Sequence, residues 1–283
     1  MDILRTEHLS KDYGDFKLRD VNIRIPKGCI MGLIGENGAG KSTTIKAILE
    51  LIHRDGGKVW MFGKEYHADD RALKEHIGVA MDHCCFSDEL TAAETGKFMK
   101  HIYRTWSSIA YENYIKRFAI PEKKPVKKLS NGMKMKLSIA VALSHDTKLL
   151  ILDEATSGLD PVVRNQLLDI LLEFIQDEEH SILVSSHILS DLEKVCDYIT
   201  YIHEGEVLFS ENKDELMEKY RVVKCSLQDL EVLEPSAVVG SRKHAFGVEA
   251  LVESAYVPEG MLSEAAGIEE IMLYFGKRGE ALA

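Results

Sequence analysis

Apolar and polar positions alternate at the start of the chain. Val21, Ile23 and Ile25 share one side, Asn22 and Arg24 the other, before Pro26-Lys27-Gly28 turns. A period of two predicts strands through residues 1 to about 34. The last of these, Cys29 to Ile34, is a continuous apolar run suited to burial on both faces. The period then changes, because Ile45, Ile48, Leu49 and Ile52 recur at helical spacing. Asp55-Gly56-Gly57 turns into a strand over Val59 to Gly63, and Ile77 to Met81 is a further apolar run.

From Thr91 the pattern is helical. Thr91-Ala92-Ala93-Glu94 has the form of a capping box, opening a helix that runs towards Trp106, and a second helix covers Tyr111 to Phe118. Pro121 and Pro125 mark a loop, and strand–helix alternation resumes from Asn131. Helices are predicted over Met133–Leu143, Pro161–Ile175 and Leu189–Val195, and strands over Leu149–Leu152 and Ser181–Ser185. A hairpin follows over Tyr198–Phe209, turning at Glu204-Gly205. Beyond Arg221, the apolar positions Val222, Val223, Cys225 and Leu227 predict a strand, and Ile268 to Phe275 an amphipathic helix. The whole reads as an α/β domain over residues 1–218, with a helical insert at about 88–130 and an accessory unit over 219–283.

Composition narrows the class. With 45% hydrophobic and 29% charged residues among 283, the chain is an ordinary globular protein. A net charge of −11 leaves no basic excess for neutralising nucleic-acid phosphates, so no nucleic-acid partner is expected. No run approaches about eighteen apolar residues, which predicts no membrane span. The first residues lack an apolar signal core. Five cysteines without CxxC spacing suit reduced, cytoplasmic thiols rather than a disulfide framework. His83, Cys84 and Cys85 are adjacent, a placement that seldom lets three side chains converge on one metal ion.

The chemistry concentrates in Gly35-Glu36-Asn37-Gly38-Ala39-Gly40-Lys41-Ser42-Thr43, a phosphate-binding loop with a strand before it and a helix after it. Gly35, Gly38 and Gly40 free the backbone to form a nest of amides, in which Asn37 and Thr43 also lie, and the following helix adds its positive end. Lys41 supplies a cation for β- and γ-phosphates and Ser42 a hydroxyl for Mg²⁺. The apolar strand Leu149 to Leu152 ends in Asp153, a second magnesium ligand, and Glu154, a general base for water. These features imply a nucleoside triphosphate site.

Lys128-Leu129-Ser130-Asn131-Gly132-Met133 resembles the signature of ATP-binding cassette proteins, and other segments then match that family in order. Ser157-Gly158-Leu159-Asp160 resembles its D-loop, and Ser185-Ser186-His187 its switch histidine. Tyr13 matches the aromatic that stacks on adenine. The resemblance covers residues 1 to about 218. It implies a cassette fold with an antiparallel β subdomain, a helical insert and a small C-terminal α+β extension. It also implies ATP hydrolysis with Mg²⁺ and a head-to-tail homodimer, in which Ser130 and Gly132 of one subunit reach ATP held by Lys41 of the other. In that scheme Asp160 of the D-loop is among the nucleotide-binding residues, Glu154 activates water, and His187 contacts the γ-phosphate.

Asn131 and Met133 stand where the family usually has Gly and Gln, leaving the contacting Ser130 and Gly132 in place. Asp82 stands where the family usually has glutamine, and it is expected to serve as a metal ligand with shorter reach. The family resemblance further implies a separate transmembrane permease, docking near Cys84 to Leu90 and the helix from Thr91, which would hold the protein at the inner face of the membrane. Within the family the chain is most similar to bacterial exporters of bacitracin, lantibiotics and phenol-soluble modulins. A soluble assembly ATPase of the iron–sulfur type is the alternative.

Overall fold

The parallel strands are the apolar runs of the sequence, and the three central ones are buried along their whole length. In the computed structural model, which describes residues 1–157, 159–245 and 247–276, three sheets are formed. The first is antiparallel. β1 (Asp2–Asp12) pairs with β2 (Lys17–Val21) at one end and β3 (Arg24–Pro26) at the other. The expected continuous strand is thus split. Thr6 Oγ1 accepts the Ile23 amide at 2.8 Å and donates to the Val21 carbonyl at 2.9 Å, filling the break in the ladder. Val21, Ile23 and Ile25 are nevertheless all fully buried, as the alternation requires.

β4 (Ile30–Ile34) leads into α1 (Lys41–Ile48). β5 (Gly56–Met61) and β6 (Lys64–Glu65) return the chain to the antiparallel sheet. β5 ends two residues before the expected Gly63 because Phe62, at φ 53°, starts the turn into β6. After α2 (Arg71–Lys74) comes β7 (Ile77–Ala80), then the insert with α3 (Ala92–Met99) and α4 (Ser108–Arg117). The capping box is formed at Thr91 and Glu94, but α3 stops well short of Trp106. The amides of Arg104 and Thr105 are turned away from a helix ladder and donate to the Glu75 carboxylate at 3.0–3.3 Å.

α5 (Asn131–Ala142), β8 (Leu149–Asp153), α6 (Pro161–Phe174), β9 (Ser181–Ser185) and α7 (Leu189–Val195) follow, then the hairpin β10 (Tyr198–His203) and β11 (Glu206–Asn212). The central six-stranded sheet runs β11-β10-β4-β9-β8-β7, parallel from β10 to β7. All five parallel strands therefore end on one edge, the place where open α/β sheets hold ligands.

The C-terminal part comprises α8 (Lys213–Lys219), β12 (Tyr220–Cys225), α9 (Leu227–Val232), β13 (Val238–His244), β14 (Gly247–Glu253), β15 (Ser263–Ala265) and α10 (Ile268–Gly276). Its sheet, β13-β14-β12-β15, is antiparallel. Leu227 opens a helix instead of continuing the expected strand, because Ser226 and Asp229 form a capping box. Ile268, Ile271, Tyr274 and Phe275 of α10 join the same buried cluster as Ile34, Tyr201 and Phe209. The boundary near residue 218 is thus crossed by a shared core.

Candidate nucleotide site

Four of the parallel strands deliver the site residues. β4 runs into the glycine loop, β7 leads to Asp82, β8 ends at Asp153, and β9 precedes His187. A cavity of about 630 Å³ opens at this edge. Asn37, Gly38, Gly40, Lys41, Ser42 and Thr43 form one wall; Asp82, Glu154, Ser157 and His187 form another.

The loop's close packing explains two of its glycines. At Gly35 a Cβ would fall on the Ile202 carbonyl oxygen of β10. Gly40 precedes α1 at φ 116°, a conformation that favours glycine, with Phe16 Cζ only 3.0 Å from where a Cβ would sit. Lys41 lies at the cavity's base, 5% exposed, with Nζ donating to the carbonyls of Gly35 (2.9 Å) and Glu36 (3.2 Å). Glu154 Oε1 is 3.4 Å from the same ammonium, and Glu154 Oε2 is 2.7 Å from His187 Nδ1. Glu154 sits at φ 52°, a costly conformation for a residue with a Cβ. Its amide is held by the Ser185 carbonyl at 3.1 Å and by Ser185 Oγ at 3.0 Å.

Asp153 is fully buried, and its oxygens are unequally served. Ser42 Oγ donates to Oδ1 at 3.0 Å and Ser185 Oγ at 2.7 Å, while Oδ2 has no hydrogen-bond partner. Burial pushes the Asp153 carboxyl above its ordinary range; the two serines oppose the rise, and Asp82 and Glu154 add to it. A buried carboxylate with one free oxygen beside a serine hydroxyl fits Mg²⁺. Among the described residues no group of three or more His, Cys, Asp or Glu offers a metal an all-protein cage. One carboxylate and one hydroxyl suit a hard cation that keeps waters and takes phosphate oxygens, and such a cation would neutralise charge developing on the triphosphate. Asp82 reaches the cavity from the end of β7 and is also 2.5 Å from His83 Nδ1.

The remaining expected residues lie elsewhere. Tyr13 is 53% exposed, with Lys11 Nζ 5.3 Å from its ring centre, and it does not line the cavity. Phe16 does, although it is not among the residues expected there. The Tyr13 amide donates to the Phe16 carbonyl at 2.9 Å, and this turn aims Phe16 at Gly40. Proximity to Tyr13 was the only signal for it. Ser130 caps α5, its Oγ accepting the Met133 amide at 3.3 Å, and Gly132 packs near Leu159. Neither lines the cavity that holds Lys41. Asp160 caps α6, accepting the amides of Val162 and Val163 at 3.1 Å each. Gly158 of the same loop lies outside the described residues.

The profile of the family described as ABC transporter matches residues 18–157. The lantibiotic transport ATP-binding protein SrtF of Streptococcus pyogenes is 37% identical over 223 residues, covering 76% of this chain and 95% of that one. The bacitracin transport ATP-binding protein BcrA of Bacillus licheniformis is 36% identical over 222 residues, covering 77% and 72% respectively. The solved structure of cbiO1 from Clostridium perfringens, described as part of the ABC transporter complex cbiONQ, superposes with a TM-score of 0.61. It is 27% identical and covers 76% of this chain and 90% of that one.

Proposed function

The chain belongs to the ABC transporter family and carries its ATP-hydrolysing cassette; from that premise we propose that it is the ATPase subunit of an exporter of peptides or toxic amphipathic compounds. It works as a head-to-tail homodimer and drives a separate permease, which holds it at the inner face of the membrane. The observation that carries this reading is the division of the site. Lys41, Ser42, Glu154 and His187 share one cavity, with Asp153 bonded to Ser42 beneath it, whereas Ser130 and Gly132 stand outside it on the same chain. A second copy, rotated by a two-fold axis, supplies the missing donors to each site.

In each composite site Lys41 and the loop amides bind the triphosphate, with Asn37, Gly38 and Thr43 on the cavity wall. Glu154 accepts a proton from the attacking water, and His187, held on Glu154, orients the γ-phosphate and that water. Phe16 and Tyr13 flank the adenine. Ser42 and Asp153 would hold Mg²⁺, which would neutralise charge on the triphosphate, and Asp82 would reach the ion or its water. Asp160 keeps its loop in shape at the dimer face.

Two further features support a permease partner. An apolar cavity of about 350 Å³ lies between the insert and the sheet, lined by residues including Met81, Cys85, Phe86, Met99 and Tyr103. Beside it Phe98 and Ile102 are more than half exposed, so this face offers apolar area to an incoming helix. Among the described residues no helix is long and apolar enough to cross a membrane. The transport of bacitracin and lantibiotics by similar proteins motivates the cargo class.

The test is to co-express the chain with candidate permeases and recover the complex in detergent. ATP turnover should fall at least about 100-fold in Glu154→Gln while ATP binding persists. A cell carrying the pair should tolerate bacitracin or a lantibiotic better than one carrying the Glu154→Gln pair. Equal tolerance of both compounds by the two strains would remove the cargo assignment, and wild-type turnover in Glu154→Gln would remove the site assignment.

A further inference from the structure

We propose that Arg164 and Asp191 form a positioning pair that sets the switch histidine according to where the start of α6 stands; the inference rests on the roles given above to Glu154 and His187. Arg164 lies in the first turns of α6, directly after the Leu159-Asp160 loop, and Asp191 lies in the first turn of α7, four residues after His187. Nε of Arg164 is 3.5 Å from Oδ2 of Asp191. Its Nη2 donates to the Leu159 carbonyl at 3.4 Å. The guanidinium therefore joins the loop before α6 to the helix after His187.

The energetics make this joint stiff. Asp191 is 2% exposed, and a carboxylate so buried is costly unless a cation faces it. Arg164 is the cation within ion-pair distance of it among the described residues. Yet Arg164 Nε and Asp191 Oδ2 are both buried without a hydrogen bond. Approach of α6 to α7 by a few tenths of an ångström completes a charge-assisted bond, and retreat leaves a buried charge unpaired. Such a pair transmits displacement in both directions.

What it transmits follows from its neighbours. Leu159 Cδ2 is 3.4 Å from where a Cβ on Gly132 would sit, so a contact made on the signature face bears on this loop. On the other side, α7 is tied to the end of β9 by the Ile188 amide on Ser186 Oγ at 3.0 Å. His187 lies between those two residues with Nδ1 on Glu154. A shift of α6 is passed by Arg164 to Asp191 and from there to the imidazole. Neither residue touches the reacting atoms; both act through His187.

The experiment measures phosphate release by the purified full chain across ATP concentrations at saturating Mg²⁺, with melting temperatures, for wild type, Asp191→Asn, Arg164→Gln and the double variant. Each single variant should lower kcat about tenfold, with KM for ATP within about twofold of wild type. The double variant should be no slower than the slower single, because both changes remove one interaction. Wild-type kcat in either folded single variant, or losses that multiply in the double, overturns the inference. Should these variants unfold, Arg164→Lys decides: lowered kcat at unchanged KM and melting temperature supports the pair, and wild-type kcat overturns it. Glu154→Gln and His187→Ala run in the same assay. If they turn over like wild type, the reading of the site has failed; if only they lose activity, the positioning pair alone has failed.

Discussion

At Asp153 the fold tolerates an unfavourable buried charge. The carboxylate is buried and accepts two serine hydroxyls on one oxygen, with none on the other. Burial holds its pKa above the ordinary value of 3.8, so the folded protein binds this proton more tightly than the unfolded chain does. Stability linked to that proton is full below pH 3.8 and is lost as pH rises through the folded pKa. Asp153→Asn should therefore melt higher than wild type in metal-free buffer at pH 7, by about 3 °C, the scale of a 1 kcal/mol change in a chain of this size. That advantage should fade on acidification, and Mg²⁺·ATP should stabilise the variant far less than wild type. Thermal melts at pH 7 and pH 4, with and without Mg²⁺·ATP, check all three outcomes. The sequence pointed to Asp153 because an apolar strand ending in two carboxylates follows a phosphate loop. Its only pointer to Phe16 was nearness to Tyr13, because the place of Phe16 at the cavity depends on a turn fixed by one backbone hydrogen bond from Tyr13. Spacing identifies residues whose chemistry is specific, such as Lys41. An aromatic ring used as a wall carries no comparable mark.

Elements were readable where one face or both faces are apolar, and less so where side chains redirect the backbone. The parallel strands at Ile30, Leu149 and Ser181 follow from their unbroken burial. The end of α3 does not, because it depends on Glu75, remote in sequence. That carboxylate accepts the amides of Arg104 and Thr105 and the Thr105 hydroxyl at 3.1 Å, fastening the insert to the sheet domain. The Thr105 hydroxyl in turn accepts the Asp146 amide at 3.1 Å, and Tyr103 stacks on His145 at 3.8 Å between ring centres. Burial raises the Glu75 pKa, but the hydrogen bonds from Arg104 and Thr105 outweigh it and leave the group below its ordinary 4.5. A depressed carboxylate stabilises the fold above its unfolded pKa, and that contribution is lost as pH falls through the folded value. Glu75→Gln should cost about 1–2 kcal/mol at pH 7. The gap from wild type should narrow as pH falls below 4.5, the ordinary value for this group. Urea denaturation at pH 7 and pH 4 measures the gap; a gap of equal size at both would show that its cause is not the ionised carboxylate.

At the scale of the whole molecule, the chain carries Ser130 and Gly132 outside the cavity that holds Lys41 and joins its C-terminal part to the sheet behind the phosphate loop. Tyr201 of β10 pairs with Ile34, the last residue before Gly35. Its buried hydroxyl lies under Gly276 at the end of α10, and the Ile268 amide of α10 donates to the Glu193 carboxylate of α7 at 2.9 Å. The extension thus backs the strand that leads into the phosphate loop and lines no part of the cavity that holds Lys41. The division of labour between copies can be tested without a structure of the dimer. A Lys41→Ala subunit keeps its signature but cannot hold the triphosphate; a Ser130→Glu subunit keeps its loop but presents a repelling carboxylate to the partner's nucleotide. Each pure variant should be inactive. In an equal mixture half of the dimers pair one of each, and each such dimer assembles one complete site from the Ser130→Glu loop and the Lys41→Ala signature. If the two sites hydrolyse independently, the mixture should recover about a quarter of the wild-type turnover. A site completed within one chain allows no recovery on mixing, because every subunit would carry its own lesion into its own site. Turnover measured before and after subunit exchange therefore distinguishes a shared site from a self-contained one.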